Sequence, residues 1–158
     1  MLEKHQKQLN EIFKENQVVL AYLFGSAARG KTTALSDIDI AVVFSDKARE
    51  KDYFKKELHL AHKIGNVFKI DRVDIVNLKT VKSPLLKHNA VFKGKLIFGK
   101  YGKKQFELES GIMKEYEDTK HLRAVQDYYL YKHIKAGTFG KGKLIQKSKY
   151  LEKYVANK

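Results

Sequence analysis

A glycine–serine turn between two apolar segments limits the fold of this chain more than any other feature of its sequence. Residues 18–24 (VVLAYLF) form a nearly continuous apolar run that ends at Gly25, which predicts a buried strand. A second strand is predicted from about residue 36 to residue 44, with Asp37 and Asp39 near its start. Because alternate side chains of a strand point to the same face, the two carboxylates are expected to lie together.

The turn between the two strands has the composition of an anion-binding loop. Gly25 has no side chain, so backbone N–H groups can approach an anion closely, and Ser26 adds a hydroxyl donor. The alanines that follow start a helical turn whose free N–H groups favour a bound phosphate. Arg29 and Lys31 add positive charge. The sequence therefore predicts that Gly25, Ser26, Arg29 and Lys31 bind phosphate groups.

Three aspartates are candidates for metal binding and acid–base chemistry. Asp37 and Asp39 repel each other and are costly to desolvate in an apolar strand, and a divalent cation relieves both costs. Oxygen ligands that leave room for substrate phosphates suit magnesium or manganese. A third strand, predicted over residues 71–78, places Asp74 in an apolar run, where it can help to hold the ion or accept a proton from an attacking hydroxyl. Asp71 is the weaker candidate, because at the start of that strand it can simply cap the preceding turn.

The order and spacing of these motifs resemble those of a known family. A Gly-Ser pair at residues 25–26 is followed, after ten residues, by Asp-Ile-Asp at residues 37–39, with Ala-Arg-Gly at residues 28–30 inside the loop. This pattern is similar to the minimal nucleotidyltransferase (MNT) family of the polymerase-β superfamily, and most closely to the MntA-type antitoxins encoded beside HEPN-domain toxins. The resemblance implies an α/β (α+β) fold of the polymerase-β type, in which a small mixed sheet is flanked by helices and followed by a C-terminal helical segment.

The resemblance also implies an activity. It suggests an ATP-dependent adenylyltransferase that moves AMP onto a tyrosine of a partner HEPN toxin and so silences the RNase activity of that toxin. It places the ATP phosphates on Gly25 and Ser26, two magnesium ions (or manganese) on Asp37 and Asp39, and the third acidic role on Asp74. Two alternatives stay open: a transferase for small molecules such as aminoglycosides, and a nucleotide-binding module that masks its partner without catalysis.

Composition sets the broader frame. With 158 residues, of which 43% are hydrophobic, the chain has the size and apolar content of one domain. We expect a nucleotidyltransferase core over residues 1–100, a helical segment of the same domain over residues 101–139 and a basic tail over residues 140–158. The absence of cysteine excludes disulfides and thiolate metal sites. Short apolar runs and a charged N-terminus predict a cytoplasmic protein without a membrane span.

The net charge of +14 is the main source of a competing hypothesis. A strongly basic protein attracts anions such as ATP, an acidic partner or nucleic acid. The charge is spread over both halves of the chain, however, so neither half is a dedicated basic arm. Direct nucleic-acid binding therefore stays open but is not favoured.

The remaining segments are interpreted as scaffold. Apolar residues at helical spacing predict an N-terminal helix and a second helix over residues 47–67. The apolar face of the second helix should include Phe54, Leu58, Ala61, Ile64 and Phe68. Ser83 and Pro84 are typical of a helix start, and a helix is expected to about residue 92. A short strand is predicted at residues 94–98. A long helical pattern follows at residues 103–135, which a Ser-Gly pair at residues 110–111 could divide into two helices.

Overall fold

The computed structural model describes residues 2–30 and 37–141, and side chains from residue 4 onward. Within these ranges the chain forms six α-helices and four β-strands. In chain order they are α1 (Leu2–Glu15), β1 (Val18–Phe24), α2 (Gly25–Ala28), β2 (Ile38–Phe44), α3 (Tyr53–Phe68), β3 (Val73–Asn77), α4 (Pro84–Phe92), β4 (Lys95–Phe98), α5 (Lys103–Asp118) and α6 (Lys120–Lys135). None of these helices is long and apolar enough to cross a membrane.

The four strands make one mixed sheet in the order β3-β2-β1-β4. Strand β1 is antiparallel to both β2 and β4, whereas β2 and β3 are parallel and are joined by α3. A parallel pair needs a long crossover, and the helix supplies it. The small mixed sheet flanked by helices confirms the predicted fold class.

Both faces of the sheet are covered, because the side chains of β2 alternate between two cores. Ile40 and Val42 face a cluster built with α1 and α3, in which Leu9 and Leu60 are completely buried. The neighbours of Val42, at positions 41 and 43, face a second cluster that α4 and α5 complete. This arrangement explains why β1, and β2 from Ile40 onward, are apolar throughout rather than alternating with polar residues.

The predicted helix over residues 47–67 is wrong in its start and in part of its apolar face. The helix begins only at Tyr53, after a short 3-10 turn at Glu50–Asp52. Ile64 and Phe68 are buried as predicted, and the buried stripe also includes Leu60, one helical turn before Ile64. Phe54 and Leu58 belong to a different stripe and are 71% and 57% exposed.

The other predicted elements agree better with the structure. Helix α4 begins at Pro84, and the Ser83 hydroxyl accepts a hydrogen bond from the backbone N–H of Leu86 at 3.2 Å, as expected of a helix cap. Strand β4 occupies the predicted position. The long C-terminal pattern does form two helices, but they separate at Thr119, while the Ser-Gly pair at 110–111 lies inside α5.

By its contacts the chain divides into two compact units, residues 1–117 and residues 118–158. The first unit contains the sheet and the helices through most of α5. In the second unit, α6 buries none of its residues. The predicted division into residues 1–100, 101–139 and 140–158 stays a prediction, and most of the predicted basic tail lies outside the described residues.

Candidate active site

The end of β1 and the start of β2 meet at Gly25 and Asp39. Phe24, the last residue of β1, pairs with Asp39 across the antiparallel ladder, so the residue after Phe24 must pass the aspartate side chain. Gly25 does so with φ of +70°, a left-handed conformation that favours glycine. A Cβ atom at this position would overlap the carboxylate of Asp39. Glycine is therefore required here both by conformation and by space.

The parallel pairing of β2 and β3 sets a second acid beside the first. Asp39 and Asp74 are register partners, so their side chains leave the same face of neighbouring strands. Asp74 is exposed, whereas Asp39 is half-buried. Strand β2 begins at Ile38, which leaves Asp37 just before the strand rather than within it. The three predicted acids thus gather at one end of the two strands.

The electrostatics of Asp39 reflect this crowding. Burial raises the pKa of its carboxyl group, and the negative charges of Asp74 and Asp37 raise the pKa further. Arg29 acts in the opposite direction and lowers it. Ionisation of Asp39 is therefore less favourable than that of a free aspartate, and a nearby cation would stabilise the ionised form.

Three of the four predicted phosphate-binding residues lie at or just after the end of β1. Gly25 and Ser26 open the single turn of α2, whose first N–H groups have no side-chain cap. Arg29 follows the turn and is close enough to Asp39 to influence its pKa. Lys31, the fourth predicted residue, lies outside the described residues.

Comparison with known proteins decides the family. The family model described as polymerase beta, nucleotidyltransferase matches residues 7–103, which contain the whole sheet and all three aspartates. The chain belongs to the polymerase beta nucleotidyltransferase family. Two proteins of Methanocaldococcus jannaschii, both named "Putative protein adenylyltransferase", are 34% and 35% identical to this nucleotidyltransferase over 87 and 89 residues, covering 55% of this chain and 81% of each relative.

Solved structures agree with this assignment. A chain of a crystal structure described as a toxin-antitoxin with AMP-PNP superimposes with a TM-score of 0.65 at 26% identity, over 79% of the nucleotidyltransferase and 98% of that chain. A chain from a complex of the tri-AMPylated Shewanella oneidensis HEPN toxin with an MNT antitoxin has a TM-score of 0.59 at 24% identity, over 82% and 99% of the two chains, and shares the fold. The nucleotidyltransferase therefore shares its fold with chains of toxin–antitoxin structures.

One basic residue at the candidate site of the nucleotidyltransferase was not predicted from the sequence. Arg72 lies one residue before β3, and its Nη1 atom is 3.8 Å from Oδ1 of Asp37. Both side chains are largely exposed, so the pair is weak. The parallel register was the missing information, because Asp37 and Arg72 are adjacent only once Ile38 is aligned with Val73.

No three His, Cys, Asp or Glu side chains in residues 4–30 and 37–141 converge closely enough to form a metal site by themselves. The carboxylate oxygens nevertheless suit a hard cation, because a cation would offset the repulsion between Asp39 and its two acidic neighbours. Magnesium commonly binds through one or two carboxylates and completes its coordination with water and substrate phosphates. The chemistry of these residues thus fits magnesium better than an enclosed structural ion.

Proposed function

We propose that this chain is a protein adenylyltransferase that acts as an antitoxin, transferring AMP from ATP to a tyrosine of a HEPN-type RNase toxin. The observation that carries the proposal is the contact of Gly25 with Asp39 beside the register partner Asp74. Support also comes from relatives named as protein adenylyltransferases and from a similar chain in a toxin-antitoxin structure with AMP-PNP.

In this proposal the backbone of Gly25 and the hydroxyl of Ser26 bind the triphosphate of ATP. Asp37 and Asp39 would hold magnesium, with manganese as a substitute. When bound, magnesium would supply positive charge near the α-phosphate and the leaving pyrophosphate. Arg29 would contribute further positive charge, and Asp39 leaves no space for a side chain at Gly25.

The acceptor is the phenol oxygen of a tyrosine, and the transfer is in line. The oxygen forms a bond to the α-phosphorus of ATP as the bond from that phosphorus to the bridging oxygen breaks, and pyrophosphate leaves. The phenol proton passes to the carboxylate of Asp74, which is exposed on the face of the sheet that Asp39 shares. Asp74 thus acts from the solvent side, where a protein acceptor can approach.

A transfer assay tests this function directly. The chain would be incubated with magnesium, ATP labelled on the α-phosphate and a HEPN-type protein encoded beside it. We expect label and the mass of AMP on a tyrosine of that protein, together with released pyrophosphate. A stable complex without transfer would favour the masking module, and transfer to an aminoglycoside alone would favour the small-molecule enzyme.

Asp71 offers a matched control for Asp74. Both are exposed aspartates at the same strand, and Asp71 precedes β3 while Asp74 lies within it. We expect Asp74→Asn to slow transfer by about 100-fold, within the range for loss of a general base, and Asp71→Asn to leave the rate within about twofold. Equal rates for the two variants would remove Asp74 from the mechanism.

A further inference from the structure

Strand β3 is both the strand of Asp74 and an edge of the sheet. No strand lies beyond it among the described residues. Hydrogen bonds at the two ends of β3 show which of its backbone groups pair with β2. The N–H of Ile38 donates to the carbonyl of Arg72 at 3.1 Å, and the N–H of Leu78 donates to the carbonyl of Val42 at 2.9 Å. Because the pattern alternates along a parallel ladder, Asp74 and Val76 direct their backbone groups towards β2.

The residues between them therefore direct their N–H and C=O groups outward. These are Val73 and Ile75, whose outward groups have no backbone partner in the part of the chain that the structure describes. The edge ends at Asn77, whose carbonyl accepts hydrogen bonds from the backbone N–H groups of Thr80 and Val81 at 3.1 and 3.0 Å. A short row of backbone donors and acceptors, without a partner strand among the described residues, thus runs beside Asp74.

The opposite edge of the same sheet is built differently. Strand β4 begins with the exposed Lys95, and its pairing with β1 is irregular between Ala21 and Tyr22. Lysine and irregular pairing are devices by which proteins discourage strand addition at an edge. Strand β3, with the sequence VDIVN, contains no lysine or proline and pairs regularly with β2 over its whole length. Of the two edges formed by the described strands, β3 is the one that lacks both of these devices.

We propose that β3 binds the acceptor protein by strand addition: an extended segment that carries the acceptor tyrosine pairs with Val73 and Ile75. This inference rests on the proposed function and deepens it. Residues that lie opposite each other on neighbouring strands point to the same face, with Cβ atoms about 5 Å apart. A tyrosine opposite Asp74 would therefore project on the face that holds Asp39 and Asp74, with its phenol directed past the proton acceptor.

This mode of binding also fits the chemistry of the edge. Backbone hydrogen bonds supply affinity that is independent of sequence, whereas the side chain opposite Asp74 supplies selectivity. The half-buried side chains of Ile75 and Val76 leave apolar surface on both faces of the edge, against which alternate side chains of an added strand can pack. A flexible loop or terminus of the acceptor is the kind of segment that can adopt this extended conformation.

Amide hydrogen exchange of the complex tests the proposal. The enzyme would be mixed with the acceptor protein identified in the transfer assay and with α,β-methylene-ATP, which lacks the bond that transfer must break. We expect the amides of Val73 and Ile75 to exchange rapidly in the free enzyme and at least about tenfold more slowly in the complex, because each gains a hydrogen bond. The amides of Asp74 and Val76, already bonded to β2, should be slow in both. A complex that leaves the amides of Val73 and Ile75 unprotected would overturn the proposal.

A substitution at the edge provides the second measurement. Ile75→Pro removes an outward N–H without removing a bond to β2, and edge positions tolerate proline. We expect the KM for the acceptor to rise by about fivefold or more, from the loss of one to two backbone hydrogen bonds, while binding of α,β-methylene-ATP stays within about twofold. Ile75→Val serves as the control that keeps the N–H, and it should leave the KM unchanged.

The outcomes separate this inference from the function on which it rests. If the wild-type enzyme labels no protein, the proposed function fails whatever the edge does. If the wild type transfers AMP and Ile75→Pro does so with the same KM for the acceptor, strand addition is wrong and the function stands. Protection of Val73 and Ile75 that depends only on the concentration of the enzyme itself would indicate pairing of two copies at this edge and would also overturn the proposal.

Discussion

Two aspartates near opposite ends of β2 differ in what surrounds their carboxylates. Asp39, at the start of the strand, is half-buried beside two further acids, and its pKa is raised by burial and by their charges. Asp46, two residues beyond the end of the strand, is 76% exposed and accepts hydrogen bonds from the ammonium groups of Lys79 at 2.8 Å and Lys104 at 3.1 Å. These bonds and charges lower the pKa of Asp46 to about 2.

The difference lies in what each carboxylate has as its partner. Asp46 has two lysines from its own chain, so it is satisfied in the folded protein and links β2 to the segment after β3 and to the start of α5. Asp39 lies against Gly25, and among the described residues Arg29 is the charge that lowers its pKa, against two acids that raise it. A carboxylate that the fold leaves unsatisfied is a candidate for binding a ligand cation, whereas a carboxylate paired with lysine is a candidate for structural support.

The largest expected effect comes from removing the charge at each end of β2. We expect Asp39→Asn to reduce AMP transfer by about 100-fold or more, since electrostatic stabilisation of the transition state is lost, and to leave the free energy of unfolding unchanged or higher because a repulsive charge is removed. Asp46→Asn should keep the transfer rate within about twofold. Rates from the labelled-ATP assay and urea unfolding curves of both variants decide the comparison. A transfer rate for Asp39→Asn near that of the wild type would show that the unsatisfied carboxylate is not the functional one.

The next effect concerns the close approach of Gly25 to Asp39, for which the chain contains a matched control. Gly25 and Gly30 both have positive φ, of +70° and +67°. A Cβ atom at Gly25 would overlap Asp39, whereas at Gly30 it would meet no atom of the described residues within 4 Å. We expect Gly30→Ala to lower the free energy of unfolding by about 1 kcal/mol through backbone strain alone. Gly25→Ala should cost more, about 2 to 4 kcal/mol if the strand end is displaced, and should reduce transfer by at least about tenfold.

Urea unfolding and transfer rates separate strain from the loss of space in these two variants. If Gly25→Ala and Gly30→Ala lost equal stability and equal activity, only the backbone conformation would matter. The contact of Gly25 with Asp39 would then have no effect on stability or transfer. The two ends of β2 would differ only in the charges around Asp39 and Asp46.

The residues around Asp39 could be predicted from the sequence, because the motifs that identify them are short and continuous in the chain. Gly25 and Asp39 lie in a short motif between two apolar runs, and alternation along a strand predicts which side chains share a face. Asp74 could be selected because it interrupts an apolar run. Its pairing with Asp39 depends on the register of parallel strands, however, and neither residue encodes that register by itself.

The features that the sequence did not predict depend on contacts between distant segments. The outward position of Phe54 and Leu58 follows from how α3 packs on the sheet, because its stripe through Leu60 and Ile64 buries more deeply. The partners of Asp46 come from residues 33 and 58 positions later in the chain. Helical periodicity identified Ile64 but could not separate it from the exposed Phe54 and Leu58. Composition could not pair Asp46 with two particular lysines among many.

The smallest expected effect is the acid dependence of stability that Asp46 contributes. Its pKa is about 2 in the folded protein, against about 3.9 for an unpaired aspartate. The folded state therefore binds the proton less readily than the unfolded state, so the stabilisation is complete above about pH 4 and is lost as the pH falls towards 2. Asp39 has the opposite sign, because its raised pKa means that its ionisation opposes folding as the pH rises past the unfolded value.

Urea midpoints measured between pH 2 and pH 5 test this difference. The wild type should lose more stability across that range than Asp46→Asn, whereas Asp39→Asn should lose at least as much as the wild type. Because Asp46 is exposed, its contribution is small and should shrink further in about 1 M salt, where the screening length falls to about 3 Å. An unchanged acid dependence in Asp46→Asn would mean that the lysine pairs, although well formed, add nothing to folding. The two ends of β2 would then differ only in what they offer to a ligand.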